Sequence, residues 1–454
     1  MNKFFSLPRI VNWIVIFSLL WVNFNTNLYK REGKVIMNDV VEYYAYLPAF
    51  FIYKDITLKF TEKDPKYFSD KFWPIPAPNG GHVTKMSMGM AMLYSPFFFA
   101  AHITAKLTGR EANGFSHIYK FALQMSCLVY LAIGLYFLRC LLQRYFNDIV
   151  TSITLICILV GTNLYFYSSF EAPLTHAYNF SLFAIFVFLS LQWHANPNFK
   201  NTILIGLLGG LITLIRPSNI VIWLFFILWG IKNRKDVAGR MRFLLSKYSL
   251  IIIMGLCFAL IWVPQLIYWK YNTGQWFFYS YRDQKFFFTD PMIINGLFSY
   301  RKGWLLYTPM MSLAFVGFIM LYRQHRDFFV PILTFFVVNF YIVVCWWTWW
   351  YGGSFGMRPL IESYALLAMP MAALVNSLLK AGIKIKIAGL ALFSILILHS
   401  MFETAQYVYG AIHWDSMSKK AYWYSFGKLK PDGNFYKLLK APDYEKAIKG
   451  DRDQ

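Results

Sequence analysis

Residues 10–29 read IVNWIVIFSLLWVNFNTNLY, a run with no Asp, Glu, Lys or Arg. An α-helix needs about 20 such residues to cross the hydrocarbon core of a bilayer. This run therefore sets the fold class as an all-α polytopic membrane protein. The rest of the chain agrees: of 454 residues, 57% are hydrophobic and only 15% charged, with mean hydropathy +0.42. Soluble domains carry roughly 25% charged residues. Aromatic residues reach 20%, and Trp and Tyr collect near segment ends, where their rings sit at headgroup depth.

Further apolar stretches lie at 116–138, 148–168, 177–193, 202–215, 218–231, 248–269, 304–322, 328–346, 359–379 and 385–401. The expectation is about eleven spans. Arg216-Pro217-Ser218-Asn219 interrupts two short ones, where proline and its neighbours break the helix. Two more segments, Tyr43–Tyr53 and Met86–Leu107, have polar edges and read as helices lying along the membrane interface.

Short loops set orientation. Lys232, Arg234, Lys235, Arg240, Arg242 and Lys247 cluster in one, and Arg139 with Arg144, Arg323 with Arg326 and Lys384 with Lys386 mark others. If these loops are cytoplasmic, so is the N-terminus, and the C-terminus lies outside. The protein is expected in the plasma (inner) membrane. The outer face then gathers the first loop (about 30–115), the Glu171–His176 turn, Arg216 and the 270–303 loop. The Trp346–Arg358 turn and a basic, aromatic tail (402–454) join them.

The net charge of +22 is spread over these loops and speaks for anionic lipid headgroups rather than nucleic acid. Five cysteines sit in or beside apolar segments without CxxC spacing and read as small embedded hydrophobes. Lys3 and Arg9 precede the first span without a small-residue cleavage site, so it is read as retained. No Walker loop, HExxH or Ser-His-Asp order is present.

Beyond the first span comes Asn38-Asp39-Val40-Val41-Glu42-Tyr43-Tyr44. Acids this close to lipid are costly unless paired or used. Asp39 and Glu42 share a face if the segment is helical, with one as general base on a hydroxyl and the other tuning it. The plainer alternative is a loop acid paired with Lys30, Arg31 or Lys34. Lys85, Arg216, Arg358 and the Arg301-Lys302 pair place cations at the outer ends of different segments. They suit an anionic headgroup, or are membrane-edge anchors. Glu171, His176 and Tyr43 are candidates for contacting sugar or acceptor hydroxyls, the alternative being ordinary hydrogen bonding. Asp39, Glu42 and His176 offer oxygen and nitrogen donors for a divalent metal, but no spacing requires a metal or any other cofactor.

These motifs resemble the GT-C class of membrane glycosyltransferases, in the branch of protein O-mannosyltransferases and aminoarabinose transferases. Asp39-Val-Val-Glu42-Tyr-Tyr is similar to the family's first-loop acidic motif. Lys85-Met-Ser-Met-Gly89 is similar to its Lys-x-Pro-x-Gly stretch, with Ser87 in place of proline. Gly161-Thr162-Asn163 through His176, Leu214-Ile215-Arg216-Pro217 and Trp349 through Arg358 resemble bacterial members too. The likeness runs from about residue 10 to 400, in a GT-C-like transmembrane domain at 1–401. It implies a polyprenyl-phosphate-linked sugar as donor, inversion at the anomeric carbon, and a lipid, glycan or protein acceptor outside the membrane. Asp39 and Glu42 would be catalytic, and Lys85, Arg216 and Arg358 would hold the donor phosphate. The competing readings are a transporter or flippase for lipid-linked saccharides, a polysaccharide ligase, and a non-catalytic scaffold.

Overall fold

The computed structural model describes residues 6–63, 68 and 72–452. Helix makes up 68% of the chain, which fixes the class as all-α. Among the described residues, β structure is one short antiparallel pairing, β1 (Ile75–Pro76) with β2 (His82–Val83), and an isolated bridge between Phe286 and Trp346.

Among the described residues, six helices are long and apolar enough to cross a membrane: Leu7–Lys30, His117–Leu142, Tyr248–Thr273, Arg326–Cys345, Arg358–Leu379 and Ile383–Tyr409. This corrects the expectation of about eleven spans. Asp148–Leu159 and Phe199–Ile215 have 12 and 17 residues, so they rise only about 18 and 26 Å, short of a roughly 30 Å core. Thr175–Ala195 has 21 residues but carries Asn179, Ser181, Ser190, Gln192 and His194. Pro217–Ile222 is a 3-10 turn that leads into a short helix, Trp223–Leu228.

In chain order the elements that build the site are α1 (Leu7–Thr26), α2 (Asp39–Tyr44), α3 (Tyr46–Phe51), α4 (Gly89–Leu107), α5 (His117–Leu142) and α6 (Thr175–Ala195). They continue with α7 (Phe199–Ile215), α8 (Tyr248–Thr273), α9 (Arg326–Cys345), α10 (Tyr364–Leu379) and α11 (Ile383–Tyr409). The last long helix thus runs past residue 401. Packing between α7 and α8 is close because Gly206 and Gly210 lie one turn apart on the contact face. A β-carbon there would fall 2.4 Å from the Met254 carbonyl oxygen and 2.6 Å from that of Phe258. Small residues bring helix backbones together in this way where lipid supplies no hydrophobic drive.

The outward faces of α8 and α11 expose Ile252, Leu256 and Leu260, and Ile387, Ile395 and Leu398. Continuous apolar surface of this kind is what lipid solvates. The helix bundle has two chemically different ends. At one, Lys232 pairs with Asp327 at 3.1 Å, Arg240 donates to the Phe226 carbonyl at 2.6 Å, and Tyr145 meets His325 with ring centroids 5.3 Å apart. These contacts join the basic loops noted in the sequence. At the other end, the C-termini of α7 and α8 and the turn before α6 meet the long first loop, and the C-terminus of α9 meets the 270–303 loop.

The tail is folded onto that second end. Tyr444 packs on Trp350 at 5.7 Å between ring centroids. Arg452 is fully buried, donating to the carbonyls of Val344, Cys345 and Trp346 at 3.4, 3.2 and 3.1 Å and pairing with Asp290 at 3.1 Å. It thereby supplies a cation to the C-terminus of α9, where the helix dipole is negative.

Candidate functional site

The acidic motif does form a helix, α2, with Asp39 and Glu42 both in its first turn. It does not emerge directly from the first span: α1 stops at Thr26, and residues 27–38 intervene. The two carboxylates have different surroundings. Asp39 Oδ2 lies 3.0 Å from a guanidinium nitrogen of Arg358, with side-chain exposures of 37% and 15%. Its resolved ion-pair partner is thus a residue far along the chain, not one of the neighbouring lysines. Glu42 is buried and accepts the backbone N–H of Lys85 at 2.7 Å. Burial pushes its carboxyl up to about 7, against that hydrogen bond, and the Asp39 charge adds to the rise.

Lys85 lies in a bend four residues ahead of α4 rather than at the start of a helix. The bend is pinned on several sides. Tyr46 donates to the Met86 carbonyl at 2.7 Å, Gln265 accepts from Met88 N–H at 2.8 Å, and Ser280 donates to the Lys85 carbonyl at 2.6 Å. Ser87, the residue standing where the resembling family has proline, donates to the Leu214 carbonyl and ties the bend to the end of α7. Gly89 seals that junction, since a β-carbon there would lie 2.6 Å from Ile215 N. The Lys85 ammonium sits 5.1 Å from the Tyr281 ring centroid. Burial lowers its pKa below the usual lysine value, with Asp39 and Glu42 opposing the shift.

Arg216 follows directly on α7 and makes an ion pair with Glu362 at 2.9 Å. The same Glu362 oxygen receives His176 Nδ1 at 3.2 Å, and the Tyr351 ring lies 5.9 Å from the Arg216 guanidinium carbon. Glu362 is 1% exposed. It was not singled out in the sequence, although an acid in Arg358-Pro-Leu-Ile-Glu362, at the head of an apolar stretch, is the kind of residue that marks a site.

Tyr43 links the two groups. Its hydroxyl is kept un-ionised by burial and by Tyr281 and Asp39, against the pull of Arg216 and Arg358. Glu171, in the turn before α6, is pushed up to about 7 by burial; Arg358 opposes that shift and Asp39 adds to it. Lys302 is buried, donates to the carbonyls of Ser354 and Trp414, and is lowered to about 7 by burial.

All eight candidate residues therefore lie at one end of the bundle, within electrostatic reach of one another. Two ion pairs organise them, Asp39–Arg358 and Arg216–Glu362, and the same Glu362 oxygen is hydrogen-bonded to the His176 ring. Among the described residues no three His, Cys, Asp or Glu side chains converge to hold a metal, so Asp39, Glu42 and His176 do not form a ligand set. The class defined is an all-α protein with apolar spanning helices and a charged site at their rim. No protein-family model and no curated protein matches the chain.

Proposed function

We propose that the protein is an inverting glycosyltransferase of the plasma (inner) membrane. It moves a sugar from a polyprenyl-phosphate donor to an acceptor hydroxyl on the extracytoplasmic face. The observation that carries this reading is the Asp39 carboxylate, partly exposed and held by Arg358 at 3.0 Å, with the Lys85 ammonium near enough to feel its charge. Asp39 takes the proton of the acceptor hydroxyl as its oxygen attacks the anomeric carbon. The bond from that carbon to the phosphate oxygen breaks, and its electron pair leaves with the phosphate. Lys85 and Arg216 meet the charge where it develops, which is where fixed cations lower a barrier most. Arg358 orients the base, and Glu171, His176 and Tyr43 border the sugar and acceptor.

The proposed orientation draws its support from the basic end of the bundle. Lys232, Arg240 and the other basic loop residues there favour the cytoplasmic side by the positive-inside rule, and on this reading the site at the opposite end faces outward. There the sugar arrives already activated on lipid and no nucleotide is needed.

The test is mass spectrometry of envelope lipids, glycans and glycoproteins from cells with wild-type protein, Asp39→Asn or no protein. Loss of general-base catalysis lowers turnover by about 10²–10⁴-fold. One glycoform is expected to disappear in both altered strains while its polyprenyl-linked donor accumulates. Restoration of that glycoform by Asp39→Asn at normal expression would refute the mechanism and favour a transporter or scaffold.

A further inference from the structure

Outside this site, a groove of about 220 Å³ opens between the 57–59 loop, the 79–81 turn and the end of α8. It borders the charged site: the Tyr268 hydroxyl accepts the Thr84 N–H at 3.4 Å, and Asn272 lies one helical turn beyond Tyr268. Asn272 is 1% exposed. Its Nδ2 donates to the Tyr268 carbonyl at 3.1 Å, but its Oδ1 has no hydrogen-bond partner among the described residues. A buried amide oxygen left unpaired is costly. This one faces the groove wall, 3.8 Å from where a β-carbon on Gly81 would sit.

The polar atoms around the groove decide what it suits. Thr57 gives its hydroxyl proton to Asp55 at 2.5 Å, leaving its oxygen to accept. Asn79 Nδ2 has one long bond, 3.3 Å to the Tyr271 carbonyl, leaving a second N–H to donate. The backbone N–H groups of Gly80 and Gly81 are already engaged, with the Ala77 carbonyl at 3.0 Å and Asn79 Oδ1 at 3.4 Å, so they form no anion nest. Acceptors and donors both remain. Lys59 also lines the groove and can donate to a hydroxyl as well as to an anion, but a phosphate, which only accepts, would leave Asn272 Oδ1 unmet, whereas a hydroxyl serves both kinds. Tyr271, 63% exposed, lines the same groove and carries an aromatic ring of the kind that packs on a sugar's C–H groups.

We infer that this groove binds a neutral saccharide ring, with Asn272, Thr57 and Asn79 on its hydroxyls and Tyr271 beside it. The inference rests on the glycosyl-transfer reading only for the source of the sugar, which is either the donor's own or part of a glycan acceptor.

Saturation-transfer NMR on the full chain in nanodiscs tests it, with methyl glucoside, mannoside, galactoside and N-acetylglucosaminide as acceptor probes. The corresponding farnesyl-phosphate sugars serve as donor probes. Tyr271→Ala removes an exposed ring. Gly81→Leu fills the groove from a position whose β-carbon meets only ordinary contacts. Both are expected to weaken binding by about three- to tenfold. Loss confined to methyl glycosides marks a glycan acceptor; loss confined to the farnesyl-phosphate sugars marks the donor. If no probe binds, or if both variants bind every probe as wild type does, the inference is wrong. Glycoform loss in Asp39→Asn is read separately and stands or falls on its own.

Discussion

Glu362 ties Arg216 to His176 within the site, and replacing it gives a graded test. One of its oxygens accepts from Arg216 at 2.9 Å and from His176 at 3.2 Å, and the side chain is 1% exposed. Glu362→Gln keeps an oxygen in place but removes the charge. A hydrogen bond to a charged group contributes about 1.5–3 kcal/mol and a neutral one about 0.5–1.5. Two weakened bonds therefore lose roughly 2–3 kcal/mol. Glu362→Ala removes the acceptor altogether and strands a largely buried guanidinium, a change that costs about 3–5 kcal/mol. Unfolding in detergent can be followed by a thiol-reactive dye, because Cys127, Cys157 and Cys345 are buried and free. The order of midpoints should be wild type, then Gln, then Ala. Glu362 acts on Arg216 rather than on the reacting atoms, so the Gln variant should raise the donor KM more than it lowers kcat. If the Ala variant unfolds with wild-type behaviour and its donor KM is unchanged, the ion-paired cluster is neither structural nor a positioning device, and the reasoning fails.

Gly89→Ala drives a methyl group against Ile215, 2.6 Å from its backbone nitrogen; overpacking of this kind costs about 1–3 kcal/mol. It should lower the unfolding midpoint and the yield of the transferred glycoform, because Lys85 and Arg216 hang on that junction. Arg452→Ala should speed tryptic cleavage at Lys446 and Lys449, and Arg452→Lys should protect only partly, since one ammonium cannot span three carbonyls and Asp290. Glu42 gives a pH dependence of definite sign. Burial pushes its folded carboxyl up to about 7 from the ordinary 4.5, so the folded state holds the extra proton between those values. Stability from this group is complete below about pH 4.5, lost as pH rises through about 7, and the slope of midpoint against pH should flatten in Glu42→Gln.

What could be read from the chain follows from the range of each physical signal. Apolar runs declare helices locally, so the helical segments and the all-α class were legible. Their lengths were not: the run at 148–168 is broken after Leu159, and Val160-Gly161 turn the chain before Leu164. The number of helices able to span was overcounted for that reason. Asp39, Glu42, Lys85, Arg216 and Arg358 stood out because charge near lipid is conspicuous. Their pairing did not, because Asp39 and Arg358 are 319 positions apart and neither flank names the other. Glu362 was passed over inside an apolar stretch counted for its hydropathy, where one acid barely changes the average.

The buried acid changes how the site works. Lys85, Arg216 and Arg358 read in isolation as three free cations awaiting a phosphate. In the fold, Arg358 is committed to Asp39 and Arg216 to Glu362, while Lys85 Nζ lies beside an aromatic ring, its side chain desolvated. A half-buried ammonium with no ion-pair partner among the described residues gains more from an arriving phosphate than a guanidinium that already has a carboxylate. Lys85 is therefore the primary anchor for the anion, and the two arginines act chiefly by fixing Asp39 and the His176–Glu362 pair around it. Removing Lys85 should consequently weaken donor binding more than removing either arginine, and removing Arg358 should instead disturb the base.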